Sequence, residues 1–513
     1  MADQLQITTV SCEGGLNTNR DVLSQGQIAP GSATRMINYE PAVTGGYRRI
    51  NGYSEDYPSL PGTGATLGVC VANNINDGIL ACRKPSAGNN YLHYWDNATS
   101  AWVAVTTSGS PTMTNVSKVR FHRYNWGGDE VIMVDGVNPA ATYDGTTYTQ
   151  ITHANAPTNP KYVTTFKSHM FMAGASASLN SLYFSAPLDE TDFSVANGAG
   201  EINVGFDIVQ IKTFRDELYI FGTNNIKKLV GNSVADFQLL QVTNDLGCIA
   251  SDSIVELGGD LLFIGPDGLR PVAGTDRIGD VNLETISKNV QSIFNDIVLN
   301  QDLDGLSSVL IRQKSQFRMF FSAAESQGVI GALRQQQNGG IAFEFGQLIG
   351  ITATCADSGY IGQREFVIHG DATGKVYRQE QGNDFDGDNI FSLFQTPFYH
   401  MGDPELRKNF LKLSTYMRAE GNTDIVLGII YDYEDTLVLN PSNYDITTRG
   451  AAAYFNEASY NSDAIYDGNP SPVVKTSFSG SGTSIGLKYV TNDTNPSHSI
   501  QGFVLLFSLG DRR

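Results

Sequence analysis

Short apolar or alternating runs, separated by tight-turn dipeptides, constrain this chain more than any other feature. Asp-Gly occurs seven times, beginning at Asp77, Asp135, Asp144, Asp267, Asp304, Asp386 and Asp467. Between strands this dipeptide favours tight hairpins, because glycine accepts a positive φ at no steric cost. The runs it punctuates are of strand length, among them residues 131–134, 161–166, 182–184, 218–221, 261–264 and 317–321. Helical spacing is confined to residues 282–299, where Leu283, Ile286, Val290, Ile293, Phe294 and Val298 recur. The expectation is an all-β chain with one helix.

The middle of the chain has a loose rhythm of strand, tight turn and strand, as in FRDELYIFG at 214–222, LGGDLLFIGPDG at 257–268 and FVIHGDATGKVYR at 366–378. Serial antiparallel units of about 40 to 50 residues, each unable to bury both faces alone, predict the blades of a β-propeller. A pair of irregular β-sandwiches is the alternative. The rhythm runs from about residue 60 to 395, where Pro397, Pro404 and the basic cluster Arg407, Lys408 and Lys412 mark a change. Residues 1–55 lack it as well. They are expected to pack against residues 396–513, since each segment is small for an independent core.

Charge narrows the function classes. Over 513 residues, 34 basic side chains face 53 acidic ones, a formal charge of -19, which argues against a surface that grips nucleic acid throughout. Charged residues make up only 17%, against about 25% in ordinary soluble domains, and such depletion is the mark of surface buried against partners. Residues 1–6 carry neither a basic cluster nor an apolar stretch, predicting no secretory signal and synthesis in a cytoplasm. The longest apolar runs, 425–431 and 503–509, fall short of the roughly 20 residues that cross a bilayer, so no membrane insertion is expected. The five cysteines, Cys12, Cys70, Cys82, Cys248 and Cys355, never form Cys-x-x-Cys and read as reduced, buried thiols.

Three local patterns resemble chemistry and are read otherwise. Gly482-Thr483-Ser484-Ile485-Gly486 matches the Gly-x-Ser-x-Gly nucleophile elbow, but the residues after it read as a strand where a helix is required, so a hairpin turn is expected. Asp384, Asp386 and Asp388 have calcium-loop spacing, yet Asn389 replaces the required glycine and Gln395 the bidentate glutamate, leaving an acidic turn. In Tyr431-Asp432-Tyr433-Glu434-Asp435, strand alternation places both tyrosines on one face and Asp432 with Glu434 on the other. The seven histidines show no ligand spacing, and no phosphate-binding loop occurs. The sequence therefore assigns no catalytic, cofactor-binding or metal-binding residue, and no enzyme activity is expected.

Ordered patches along the chain resemble the nozzle, or tail hub, protein of short-tailed bacteriophages. They are Gly14-Gly15-Leu16-Asn17-Thr18 with Asp21 and Ala29-Pro30-Gly31; Met36 to Pro41 with Arg49-Ile50-Asn51-Gly52-Tyr53; Val134-Asp135-Gly136 through Tyr143-Asp144-Gly145; Leu182 to Pro187 with Phe193; Leu218 to Gly222; Gly247 to Ala250 with Gly265 to Gly268; and Ala464 to Gly468 with Ser499 to Phe503. The resemblance implies a β-propeller, residues 60–395, inserted between N- and C-terminal segments, 1–55 and 396–513, that together form a β-rich platform. It also implies a ring of six copies below the portal adaptor, attachment of tail fibres or spikes, and passage of viral DNA in transit without tight binding. Such a chain belongs to the virion tail and is assembled in the bacterial cytoplasm. The alternative function is a propeller of the virion that binds or cleaves glycan. The sequence offers it few sugar-stacking platforms, with only Trp95, Trp102 and Trp126.

Overall fold

Small antiparallel sheets follow one another along the chain in the structure, a computed structural model. It describes all residues except 1–4, 86–90, 112, 114, 115, 117, 273–284, 322–326, 336–338, 436, 437, 439, 449–471 and 511–513. The first sheet contains Thr63–Val71, Ile79–Lys84, Leu92–Asp96 and Ala101–Ala104. The second is built on Arg120–Asn125, Asp129–Val134, Ala141–Tyr143 and Thr147–Gln150, and the third on Tyr162–Phe166, His169–Ala173, Ser181–Phe184 and Gly200–Asn203. The fourth comprises Gln210–Phe214, Glu217–Phe221, Ile226–Val230 and Gln238–Thr243, and the fifth Val255–Leu257, Asp260–Gly265 and Gly268–Pro271. The sixth begins with Ser307–Ile311 and Gln316–Phe320 and continues through Gln327–Gln335 and Ile341–Ile349. The seventh has Cys355–Ile361, Arg364–Gly370 and Val376–Gln379, and its fourth strand is Tyr53–Tyr57, from the stretch just before the first sheet. That strand straddles the boundary expected at residue 55.

Packing between these sheets explains why their strands read as apolar runs. The core is divided into clusters, each shared by neighbouring sheets. Val131, Met133 and Tyr143 of the second sheet meet Cys70, Leu80 and Leu92 of the first, while Ile132 and Val134 on the opposite face meet Met170 and Met172 of the third. Tyr57, Ile368 and Val376 of the seventh sheet meet Val69, Val71, Trp95 and Trp102 of the first. A sheet buried on both faces loses the polar alternation of a half-exposed one, and each apolar side chain so buried contributes about 1.5 to 3 kcal/mol.

The two chain ends share a larger sheet. Leu5–Ser11 pairs antiparallel with His498–Leu509, from Leu5 opposite Ser508 to Ser11 opposite Gly502. Tyr39–Pro41, Tyr47–Arg49, Lys408–Ala419 and Val473–Gly482 complete this sheet. Facing it are Ile390–Gln395, Ile485–Asp493, Thr423–Tyr431 and Tyr444–Thr448, joined through Arg35–Ile37 to the last strand of the sixth sheet. Phe410, Leu413, Phe503 and Leu505 of one layer share a core with Leu427, Ile429, Leu487 and Tyr489 of the other. Ile390–Gln395, grouped by sequence with the middle of the chain, thus pairs with the C-terminal segment.

Helices differ from the expectation in two places. The anticipated run at 282–299 is an α-helix only over Gln291–Asn300, preceded by a 3-10 turn, Lys288–Val290. The chain ahead of it is held on the fifth sheet, where Ile286 N–H donates to Leu269 O (3.0 Å) and Leu269 N–H to Ser287 Oγ (3.0 Å). Leu283 lies outside the described residues. A second helix, Val22–Ile28, is capped by Asp21, whose carboxylate accepts from Ser24 N–H at 2.8 Å. Its seven residues are too few for periodicity to register. Gly26 lets it seat closely, since a Cβ there would stand 2.0 Å from Phe398 O.

The Asp-Gly pairs divide by context. Those at Asp77, Asp144 and Asp267 join paired strands with positive φ at Gly78, Gly145 and Gly268. Asp135 opens a longer connection, accepting from Val137 and Asn138 N–H at 2.8 and 2.7 Å. Asp304 and Asp386 stand in turns outside strand pairs, and Asp467 lies outside the described residues.

Candidate functional site

The first strands of the seven sheets converge. That of the first sheet touches those of the second and seventh, the second's touches the third's, the third's the fourth's, and the sixth's both the fifth's and the seventh's. Between them lies a cavity of about 240 Å³ to which all seven sheets or their leading turns contribute.

Its walls are polar and charged. Asp252, in the turn before the fifth sheet, is held by Arg120 Nε and Nη2 at 2.8 and 2.7 Å and by Lys118 Nζ at 2.8 Å. Burial opposes the charge of Asp252, but the charges of Lys118 and Arg120 outweigh it and hold its carboxyl well below the usual range. Arg123 bonds Asp357 at 3.0 Å, and Asp357 also accepts from Val71 N–H at 2.8 Å, tying the second, seventh and first sheets together. His122 Nε2 accepts from Thr165 N–H at 3.1 Å. Burial, with the neighbouring Lys212 and Arg123, pushes the imidazole down to about 3. Lys212 lines this cavity and an adjoining one containing Arg123, Glu256, Arg312 and Asp357. Its side chain is exposed on the strand Gln210–Phe214. No local motif announces this cluster, because residues 118 to 357 supply it one strand at a time.

The motifs singled out in sequence do not join it. Ser484 is buried, with its hydroxyl lacking a hydrogen-bond partner, and the turn at 483–484 is not a hairpin. Val473–Gly482 and Ile485–Asp493 pair with different partners, so the turn passes from one layer to the other. Asp432 Oδ1 caps it, accepting from Thr483 N–H (2.6 Å), Thr483 Oγ1 (2.8 Å) and Ser484 N–H (3.1 Å). This corrects the alternation expected at 431–435: the strand ends at Tyr431, and Asp432, Tyr433 and Glu434 all take left-handed φ, 47°, 60° and 62°. Capping the inter-layer turn requires that bend.

Asp384, Asp386 and Asp388 diverge. Asp384 accepts from Gly387 N–H at 2.8 Å, while Asp386 faces Lys375 at 3.8 Å. Among the described residues no three His, Cys, Asp or Glu side chains are placed to hold a metal ion. All five cysteines are buried and unpaired, and burial pushes the thiols up, Cys355 to about 11.

Three buried or half-buried histidines give the fold an acid-sensitive character. His122, His369 and His498 are each pushed down to about 3, in every case chiefly by burial. The unfolded chain takes up these protons near pH 6.5 and the native chain does not, so stability falls as pH drops from 6.5 towards 3. We expect a loss of up to about 1.4 kcal/mol per pH unit for each histidine. Thermal melting between pH 7.5 and 5 tests this, and a flat profile contradicts it.

No family model matches the chain, and no curated protein matches it. Among solved structures, it is similar to the extracellular domain of a hybrid two-component system from B. thetaiotaomicron, with 10% identity and a TM-score of 0.41, over 67% of this chain and 44% of that one. It thus spans less than half the length of that structure. It is also similar to Kluyveromyces lactis Hsv2, with 9% identity and a TM-score of 0.33, over 54% of this chain and 83% of that one. An exo-β-1,3-galactanase from Phanerochaete chrysosporium follows, with 8% identity and a TM-score of 0.25, over 89% and 100% of the two chains.

Proposed function

We propose that the chain is a structural component of a bacteriophage short tail, a nozzle or hub whose copies form a ring below the portal adaptor. In this reading the seven small sheets are the blades of a β-propeller and the two facing larger sheets are a platform. Strand Tyr53–Tyr57 serves as the clasp that ties the last blade to the start of the first. The supporting observation is that both chain ends enter one sheet, Leu5–Ser11 against His498–Leu509, while the seven sheets lie between them in chain order. An insertion of that kind is what the family resemblance implies, and this arrangement supports the reading. Viral DNA would pass through the ring without tight binding, and tail fibres or spikes would attach to its sides.

The glycan-binding or glycan-cleaving alternative lacks a comparable observation. Trp95 and Trp102 are buried against Tyr57, which leaves only Trp126, itself half-buried and packed on Tyr124 at 5.2 Å, with any surface for sugar stacking. Mass photometry of the purified chain and of detached tails tests the proposal, with a closed ring of about six copies expected. Duplex DNA should bind only weakly even at low salt. A chain that stays monomeric beside its tail neighbours, or one that grips duplex tightly and salt-sensitively, overturns it.

A further inference from the structure

Where the two larger sheets face each other, three buried polar atoms lack a partner. Arg49 Nε, Ser392 Oγ and Thr491 Oγ1 make no hydrogen bond among the described residues, and the three residues are 1%, 0% and 4% exposed. Register brings them together. Ile390, Ser392 and Phe394 lie opposite Asp493, Thr491 and Tyr489 in neighbouring strands, and cross-strand partners share a face of the sheet. Facing them, Tyr39 and Arg49 form a cross-strand pair in the sheet of the chain ends. Tyr39 packs on Phe394 at 6.2 Å, and Phe394 stacks on Tyr489 at 5.9 Å. Arg49 reaches the other end of the row, where Nη2 donates to the carbonyls of Ile390 and Asp493 and Nη1 ion-pairs with the Asp493 carboxylate at 3.1 Å. Ser392 and Thr491 are therefore the pair bracketed by Tyr39 and Arg49. Buried polar groups in native proteins are almost always paired, with protein or with ordered water, so three orphans at one joint call for an explanation.

We propose that this joint binds an ordered water molecule, which accepts from Arg49 Nε–H and bridges the hydroxyls of Ser392 and Thr491. Water fits the set: the guanidinium Nε only donates, each hydroxyl can donate or accept, and one oxygen with two protons serves all three. Buried waters characteristically make about three hydrogen bonds to groups that the protein leaves unpaired. Arg49 repels a metal cation, and its own charge is already met by Asp493, so no anion is called for. The consequence is mechanical. Tyr47–Arg49 of one sheet and Ile390–Gln395 and Ile485–Asp493 of the other share one hydration site, which adds to the direct bonds that Arg49 makes between them. The site stands independently of the tail reading.

A high-resolution crystal structure of the full chain tests the assignment. One density peak is expected within about 2.7 to 3.2 Å of Arg49 Nε, Ser392 Oγ and Thr491 Oγ1. In the double variant Ser392→Ala/Thr491→Val the peak should be lost while Arg49 keeps its bonds to Ile390 and Asp493. Should that variant fail to fold, Thr491→Val alone should draw the peak towards Ser392. Direct bonds among the three groups with no peak between them overturn the site. So does a peak that is unchanged in the variants, or an anomalous signal at that position after a bromide soak, which would make the occupant an anion.

Discussion

Replacing Arg318 with methionine should destabilise the protein by about 3 to 5 kcal/mol, read as a fall in the denaturant midpoint. Arg318 is fully buried in the sixth sheet. Its Nη2 reaches Glu40 Oε2 at 3.1 Å and also bonds Glu380, its Nη1 donates to Gln379 Oε1 at 3.1 Å, and its Nε donates to Gln316 Oε1 at 3.1 Å. Glu40 lies in Tyr39–Pro41 of the sheet shared by the chain ends, and Glu380 follows the last strand of the seventh sheet. One guanidinium therefore joins three parts of the fold. Without it, Lys314 and the more distant Arg48 are the cations left to Glu40 and Glu380 among the described residues, beside amide donors from Gln316 and Asn51. Burial opposes the charge on Glu380, and Arg318 followed by Lys314 brings its pKa down to about 2. Removing the larger of these favourable charges raises that pKa, so the loss should be greatest at neutral pH and shrink as pH falls through the carboxylate range. Arg318→Met combined with Glu380→Gln should recover part of the stability, since the pair is coupled. A single-variant change below about 1 kcal/mol would sink the argument.

Asp252→Ala is the second large effect, about 2 to 3 kcal/mol once partial access to solvent is discounted. It strips the shared counter-charge from Lys118 and Arg120, whose side chains are each 12% accessible. The sign under acid follows from the lowered carboxyl: its contribution is complete above the ordinary aspartate pKa and is lost only as pH falls through the depressed native one. The variant should therefore differ from wild type across the neutral range and converge with it only in strong acid. Matching Lys118→Met to Asp252→Ala should narrow the gap. Equal midpoints for wild type and Asp252→Ala at pH 7 would show that the pairing is solvent-screened.

Much of the strand content was legible because the physics is local. Runs such as 131–134 and 261–264 are apolar throughout since neighbouring sheets cover both faces, and Asp77, Asp144 and Asp267 mark real hairpins. What escaped is non-local. Nothing in Tyr53-Ser54-Glu55-Asp56-Tyr57 says that its partner is Val376–Gln379, more than 300 residues later. The bend at 432–434 defeats strand alternation because its cause, a turn between layers at Thr483 and Ser484, lies about 50 residues away. The charged cavity was invisible for the same reason, as each strand contributes only one to three of its residues.

The pairing of Leu5–Ser11 with His498–Leu509 sets the order of events on the ribosome. Leu5–Ser11 emerges well before its partner His498–Leu509, which lies almost 500 residues further along the chain. At about 5 to 20 residues per second, roughly half a minute to a minute and a half separates them. Through that interval Leu5 and Ile7, both exposed even in the finished sheet, hang from a strand with no edge to join. Tyr53–Tyr57 waits likewise for Val376–Gln379. Synthesis thus proceeds from one end to the other while consolidation proceeds from the middle outwards, and a chain cut short by its last dozen residues would retain all seven small sheets yet leave its opening strand unpartnered.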